Sequence, residues 1–109
     1  MVEVPLINQP NQEFNIVLDD QNCTIQVRQL GSYVYFSLWL DDTLIRQNAI
    51  CMIGQFILQG VKTAFNGNFV FVDTTAPSDN QSQPDYNEFE NRYKLYYLTD
   101  SEVEEIGTD

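Results

Sequence analysis

The chain has 109 residues, of which 43% are hydrophobic and 13% aromatic, and this is enough apolar material for one modest core and excludes a disordered chain. It carries 16 acidic and 5 basic residues and no histidine, which gives a formal net charge of −11 at pH 7. A surface of this charge repels phosphate backbones, so it argues against direct nucleic-acid binding and favours partners that offer basic surfaces.

Residues 1–11 are predicted to form an extended N-terminal arm. Two prolines and several amide side chains surround a short apolar patch formed by Val4, Leu6 and Ile7. This patch either covers the domain's own core or docks on a neighbour, so its three residues are candidate interface residues. No basic segment followed by an apolar stretch opens the chain, so we expect synthesis in the cytoplasm without a secretory signal. No apolar run approaches the roughly 20 residues that cross a bilayer, so no membrane insertion is expected.

Two β-hairpins are predicted in the first half of the chain. Each has an alternating apolar run, an Asp-Asp pair and a second run. Alternation with period two places one face of a strand in a core and the other in solvent, and paired Asp residues suit tight turns. The runs are residues 14–18 and 23–27 around Asp19-Asp20, and residues 35–40 and 44–46 around Asp41-Asp42.

The strand over residues 33–40 has two largely apolar faces. Tyr33, Tyr35 and Trp39 share one face with Ser37. Either these rings form the second layer of a closed barrel, or a partner covers them, because Tyr and Trp are enriched at protein interfaces. The three aromatic residues are therefore candidate interface residues.

The middle of the chain gives a mixed signal. Residues 49–53 are consistent with a buried strand, and residues 54–60, bracketed by glycines, with a short helical turn or a loop. The Asn66-Gly67 pair predicts a hairpin turn that would pair residues 61–65 with residues 69–72.

The last third of the chain contains a long polar stretch. Residues 74–91 are predicted to be an exposed loop, anchored by its only large apolar side chains, Tyr86 and Phe89. Residues 93–98 form the last predicted strand. Arg28, Arg92 and Lys94 are expected to pair with local acids.

Residues 99–109 carry five acidic side chains and are assigned as an acidic C-terminal tail. The alternative is a short helix capped by Asp100 or Ser101. Val103 and Ile106 are the apolar residues of this segment and complete the candidate interface set. The predicted organisation is an arm (1–11), a β-domain (12–98) and this tail.

The fold class that follows is all-β. We expect a small antiparallel β-sandwich or a partly closed barrel of about six to eight strands built from hairpins. The sequence offers little for catalysis, because without histidine the Ser-His and Cys-His nucleophiles are absent. Cys23 and Cys51 are too few for a zinc site; they could pair with each other, but the favoured interpretation is two reduced, buried side chains. We therefore predict no catalytic residue, no metal and no cofactor.

Several motifs, taken in order, resemble the phage baseplate plug family over about residues 12–98. They are Phe14-x-Ile-x-Leu-Asp, Cys23-x-Ile-x-Val-Arg28, residues 35–41, residues 50–58, the glycine-led strand 67–73 and Arg92-Tyr93-Lys94-Leu95-Tyr96-Tyr97. The loop at 74–91 departs from the family, in which a shorter turn marked by glycine or proline is expected.

The resemblance implies a structural protein of a contractile phage tail, located in the virion tail. Such a plug lies near the tail axis, helps to join tube, hub and spike, and closes the distal end. Several copies around a symmetry axis are expected, with other tail proteins as partners. Two alternatives stay open: an acidic nucleic-acid mimic that inhibits a DNA-binding enzyme, and a carbohydrate- or ligand-binding β-module that uses Tyr33, Tyr35 and Trp39 as a stacking platform.

Overall fold

The computed structural model describes residues 1–58, 65–74 and 83–107. Two antiparallel sheets lie in separate layers and do not close into a barrel, which confirms the all-β sandwich expected from the sequence. The elements are β1 (Val2–Val4), β2 (Asn11–Leu18), β3 (Gln21–Leu30), β4 (Tyr33–Leu40), β5 (Thr43–Cys51), β6 (Asn68–Asp73), a 3-10 helix (Tyr86–Glu88), β7 (Tyr93–Leu98) and α1 (Asp100–Gly107).

The larger sheet is a meander in the order β2-β3-β4-β5. Both predicted hairpins are confirmed, with Leu18 paired to Gln21 across the first turn and Leu40 paired to Thr43 across the second. Asp19 and Asp20 have φ values of 54° and 62°, the left-handed geometry that a two-residue turn between twisted strands requires. The Asp pairs therefore serve the backbone of the turns.

The smaller sheet has the order β1-β7-β6. The beginning of the predicted arm is thus a strand, because Val2–Val4 pairs with β7 from Val4↔Leu95 to Val2↔Tyr97. Val4 and Leu6 are 1% and 7% exposed, so this part of the apolar patch covers the protein's own core. It follows that residues 2–6 are part of the β-domain.

Aromatic rings join the two sheets. Phe36 of β4 and Phe69 of β6 are both fully buried, and their ring centroids lie 4.8 Å apart. Phe69 also packs on Phe65 and Tyr97 at 5.6 Å each. These contacts place the centre of the core between β4 and β6.

The chain after β5 runs along the edge of β6. Residues 54–58 form turns and a bridge instead of a helix, while Gly54 and Ile57 donate backbone hydrogen bonds of 2.9 Å to carbonyl groups of Phe71 and Phe69. The predicted helical turn at 54–60 and the predicted strand at 61–65 fall partly on residues 59–64, outside the described residues. Phe65 itself is buried but is not part of a strand.

The end of the predicted loop is anchored as the sequence indicated. Phe89 is 2% exposed and stacks on Phe71 at 5.8 Å, and Tyr86 packs against the core. Arg92 donates two hydrogen bonds to the carboxylate of Asp73, Nε to Oδ1 at 2.9 Å and Nη2 to Oδ2 at 2.8 Å. This bidentate pair raises the pKa of Arg92 and fixes the position where β6 leaves the sheet and β7 enters it.

Lys94 lies 3.8 Å from Glu3 and also donates to the Glu90 carbonyl, so the predicted pairing of Arg92 and Lys94 with local acids is confirmed. Arg28 forms no ion pair with any residue in the described ranges.

Helix α1 occupies most of the segment assigned as an acidic tail. Its N-cap is Thr99, whose Oγ1 accepts from the Glu102 N–H at 3.3 Å while its own N–H donates to Glu102 Oε1 at 2.9 Å. This reciprocal pair is a capping box, and it explains why an acidic segment forms a helix. Contact with the Met1 ammonium also lowers the pKa of Glu102.

Among the helices in the described residues, none has the length and hydropathy needed to cross a membrane.

Candidate assembly interface

The outward side of the larger sheet carries a row of apolar side chains that we call the aromatic face. Strand pairing aligns Trp39 with Leu44, and Tyr35 with Ile50. Leu30 pairs with Tyr33 at the next position along the sheet. The aromatic face therefore consists of Leu30, Tyr33, Tyr35, Trp39, Leu44 and Ile50.

The aromatic face is open to solvent. Tyr33 is 40% exposed and Ile50 is 48% exposed, while Tyr35 and Trp39 are half-buried. The smaller sheet packs on the opposite side of β4, where Val34, Phe36 and Leu38 are fully buried. The rings are thus not the second layer of a closed barrel, and they form an apolar surface that the smaller sheet does not cover.

Three of these residues were not among the sequence-based candidates: Leu30, at the end of β3, and Leu44 and Ile50, which lie on β5, where the alternation is irregular. The register of β4 and β5 shifts between Phe36 and Leu38 and again between Leu38 and Trp39. Asn48 adopts a φ of 52°, and its N–H donates to Ser37 Oγ at 2.9 Å. Bulges of this kind insert extra residues, so the side that each later residue faces cannot be read from period two. Only the three-dimensional structure, in which Leu44 pairs with Trp39, shows that Leu44 belongs to the aromatic face.

The remaining candidate interface residues are dispersed. Val4 and Leu6 lie in the core, so they do not offer a surface to a neighbour. Ile7 is 54% exposed, and Val103 is half-buried on α1. Ile106 falls within α1, but its side chain lies outside the described side chains. The structure therefore brings together Tyr33, Tyr35 and Trp39, and leaves the other candidates apart from them.

Acidic side chains gather at one end of the larger sheet. In a meander, alternate turns fall at the same end, so the β2–β3 and β4–β5 turns are neighbours. The contact is direct, because the Asp41 N–H donates to the Asn22 carbonyl at 2.9 Å. We call this region the acidic end; it consists of Asp19, Asp20, Asp41 and Asp42.

A shallow groove connects the acidic end with the aromatic face. It is lined by Glu13, Thr24, Trp39, Asp41 and Asp42. The groove thus sets an indole ring among carboxylates, a combination that suits a cationic group through charge pairing and cation–π contact.

The buried reactive groups have structural environments. Cys23 and Cys51 are free and buried. Burial raises the pKa of the Cys23 thiol to about 11 and raises that of Cys51 as well, so both remain protonated near pH 7. Within the described ranges, no three side chains are grouped as potential metal ligands. In the described part of the chain, the arrangement is that of a packed scaffold on which the aromatic face is open to solvent.

Comparison with known proteins gives one family. The model of the family described as "Cyanophage baseplate Pam3 plug gp18" matches residues 1–101, which includes both sheets and the start of α1. No curated protein matches the chain.

Proposed function

Because the chain belongs to the cyanophage baseplate plug family, we propose that it joins tube, hub and spike near the tail axis and closes the distal end of the tail. The family establishes the coarser part: the protein is a structural component of the baseplate, it is located in the virion tail, and it interacts with other baseplate components. We further propose that several copies surround the tail axis and that the protein is made in the host cytoplasm. The proposal assigns no catalytic role.

The observation that carries the proposal is the family match across both sheets, and the aromatic face supports it. A joint between proteins needs a rigid body and an apolar surface that a neighbour can cover. Here the core is anchored by rings from both sheets, while Tyr33, Leu44 and Ile50 are 40%, 45% and 48% exposed. We propose the aromatic face as the principal contact with a neighbouring tail protein, with Ile7 and Val103 as secondary candidates.

The direct test is complementation of a phage whose copy of the gene is disrupted. Ile50→Ser removes an exposed apolar side chain from the aromatic face, and Val2→Ser removes one of similar exposure, 52%, from the other sheet. Both proteins are expected to fold, as measured by circular dichroism. We expect Ile50→Ser to reduce the amount of protein in purified tails and the infectious titre, and Val2→Ser to leave both unchanged.

Two results would overturn the proposal at different levels. Wild-type protein missing from purified tails would refute the baseplate role. Ile50→Ser tails as complete as wild type would refute the role of the aromatic face alone. Truncation of the arm is a poor test, because removing residues 1–11 deletes β1 from the smaller sheet.

A further inference from the structure

Within residues 1–58, 65–74 and 83–107, strand β2 pairs only with β3, and its other edge has no partner. The register with β3 pairs Ile16 with Cys23 and Phe14 with Ile25. The Gln29 N–H donates to the Pro10 carbonyl at 2.8 Å, so the hydrogen-bonded pairs of this ladder are those with an even residue on β2. The N–H and C=O groups of the odd residues therefore point away from the sheet. These residues are Asn11, Glu13, Asn15 and Val17, and none of their N–H groups donates to an acceptor in the described part of the chain.

The other three sheet edges are blocked. β5 is broken by two register shifts and by the left-handed Asn48. β1 has only 3 residues, and residues 53–57 run along β6 and donate to its carbonyl groups. Irregular, short or covered edges are the usual protection against unwanted strand pairing. β2 has 8 residues in unbroken register and a single charged side chain, Glu13, so it lacks that protection.

We infer that the free edge of β2 receives an extended, basic segment of a neighbouring protein, which adds a fifth strand to the larger sheet. In such an addition, main-chain hydrogen bonds supply affinity and alternate side chains supply specificity. That the neighbour is another baseplate protein rests on the proposed function, whereas the pairing itself rests on the backbone groups of β2.

The charge around β2 specifies the occupant. Glu13 lies on the edge strand and also lines the groove beside Trp39. Asp19 and Asp20 follow the last residue of the strand, and Asp41 and Asp42 line the same groove as Glu13. A strand carrying Lys or Arg at alternate positions on this side would place its cations beside Glu13 and, at the end of β2, beside Asp19 and Asp20, while Asp41 and Asp42 add to the negative charge farther along the sheet. A second copy of the chain would instead bring another net charge of −11.

The edge also offers apolar area on the inward side. Phe14 and Ile16 are only partly buried, although both pack against the core. An added strand with apolar residues on that side would cover them. The expected occupant is therefore an amphipathic strand, cationic on the outward side and apolar on the inward side.

Hydrogen–deuterium exchange compares the isolated protein with the protein in purified tails. In the isolated protein, the amides of Gln12, Phe14, Ile16 and Leu18 are expected to be protected by β3. In the tail, the peptide that covers β2 is expected to retain up to four more hydrogens, those of Asn11, Glu13, Asn15 and Val17. Equal exchange in both states would overturn the inference but leave the baseplate role intact. Wild-type protein absent from tails would instead count against the proposed function.

Two variants at one position test the backbone contact. Val17→Pro removes an outward N–H, which an edge strand tolerates, and Val17→Thr keeps that N–H with a side chain of similar shape. Circular dichroism and thermal melting establish that each variant folds. We expect incorporation into tails to fall at least severalfold for Val17→Pro and to remain at the wild-type level for Val17→Thr. Folded Val17→Pro that incorporates like Val17→Thr would contradict the inference.

The occupant is identified by cross-linking. Asn11→Cys introduces an exposed thiol next to the edge, whereas the native cysteines are buried. A benzophenone–maleimide attached at this position is irradiated in assembled tails. We expect capture of a segment from a different protein with more Lys and Arg than Asp and Glu. Capture of a second copy of this chain, or of an acidic segment, would overturn the inference.

Discussion

The contact between the two sheets depends on Phe69 more than on Phe71, although both belong to β6 and both are 0% exposed. Phe69 packs on three rings, with centroid distances of 4.8, 5.6 and 5.6 Å. Among the described residues, Phe71 packs on one ring, that of Phe89, at 5.8 Å. Replacing each with Leu removes the same apolar volume, so the loss from transfer cancels in a comparison of the two variants.

Phe69→Leu loses three aromatic pairs and Phe71→Leu loses one, so the first variant loses two more pairs than the second. Each aromatic pair contributes about 0.5–1.5 kcal/mol beyond the area it buries, so Phe69→Leu should lower the free energy of unfolding by about 1–3 kcal/mol more than Phe71→Leu. Since small domains are stable by only about 5–15 kcal/mol, this difference is large.

Urea denaturation followed by far-UV circular dichroism measures the effect as a change of midpoint at constant slope. A Phe71→Leu variant that is destabilised as much as Phe69→Leu would refute the idea that ring contacts between the sheets dominate at this position.

Three further predictions concern backbone, helix cap and pH. Gly67 has a φ of 110°, and a Cβ there would lie 2.5 Å from the carbonyl oxygen of Leu98. Gly31 has a φ of 63°, but a Cβ there would have no atom within 4 Å. Gly67→Ala should therefore lower the urea midpoint much more than Gly31→Ala. Thr99→Ala removes the acceptor of the capping box and should cost about 1 kcal/mol, while Thr99→Ser should cost little; equal urea midpoints would rule out a stabilising cap. Burial raises the pKa of Tyr97 from 10.0 to about 12, so stability should be intact below pH 10 and decline as the pH rises through this window. Tyr97→Phe should show a smaller decline, and an identical pH profile would contradict the assignment.

The hairpins of the larger sheet could be predicted because their information is local. Alternation over residues 14–18 and 23–27, together with the Asp19-Asp20 pair, determines strands, turn and register in one stretch of sequence. The strands β6 and β7 were also predicted, because their Phe- and Tyr-rich runs have clear ends, but their pairing with each other was not. The anchoring of the loop by Phe89 also followed from its being a large apolar residue in a polar stretch.

The parts that could not be predicted depend on contacts between distant segments. Val4 reads equally well as core or surface until β1 is seen to pair with β7. The sequence favoured a solvated tail, with a helix cap considered only at Asp100 or Ser101, whereas the helix is capped by Thr99. Thr99 and Glu102 carry the capping-box spacing, and this signal was available.

The candidate interface was predictable only in its central part. Tyr33, Tyr35 and Trp39 fall on one face by simple alternation, and the structure keeps them there. Leu44 and Ile50 join them through bulges that no local pattern reveals. The free edge of β2 is a property of strand order, so it could not be found before the topology was known.

The strand order also determines when each sheet can form during synthesis. Neighbours in the larger sheet are consecutive in the chain, so β2 to β5 can pair as they leave the ribosome. β1 cannot pair until β7 has been synthesised, because Val2 of β1 pairs with Tyr97 of β7. β7 is also the central strand of the smaller sheet, so this sheet cannot form before it. Pairing between such distant segments is slow compared with hairpin formation. We therefore expect the nascent protein to pass through a stage in which the larger sheet has formed but its core side is exposed, until β7, the last strand to be made, completes the fold.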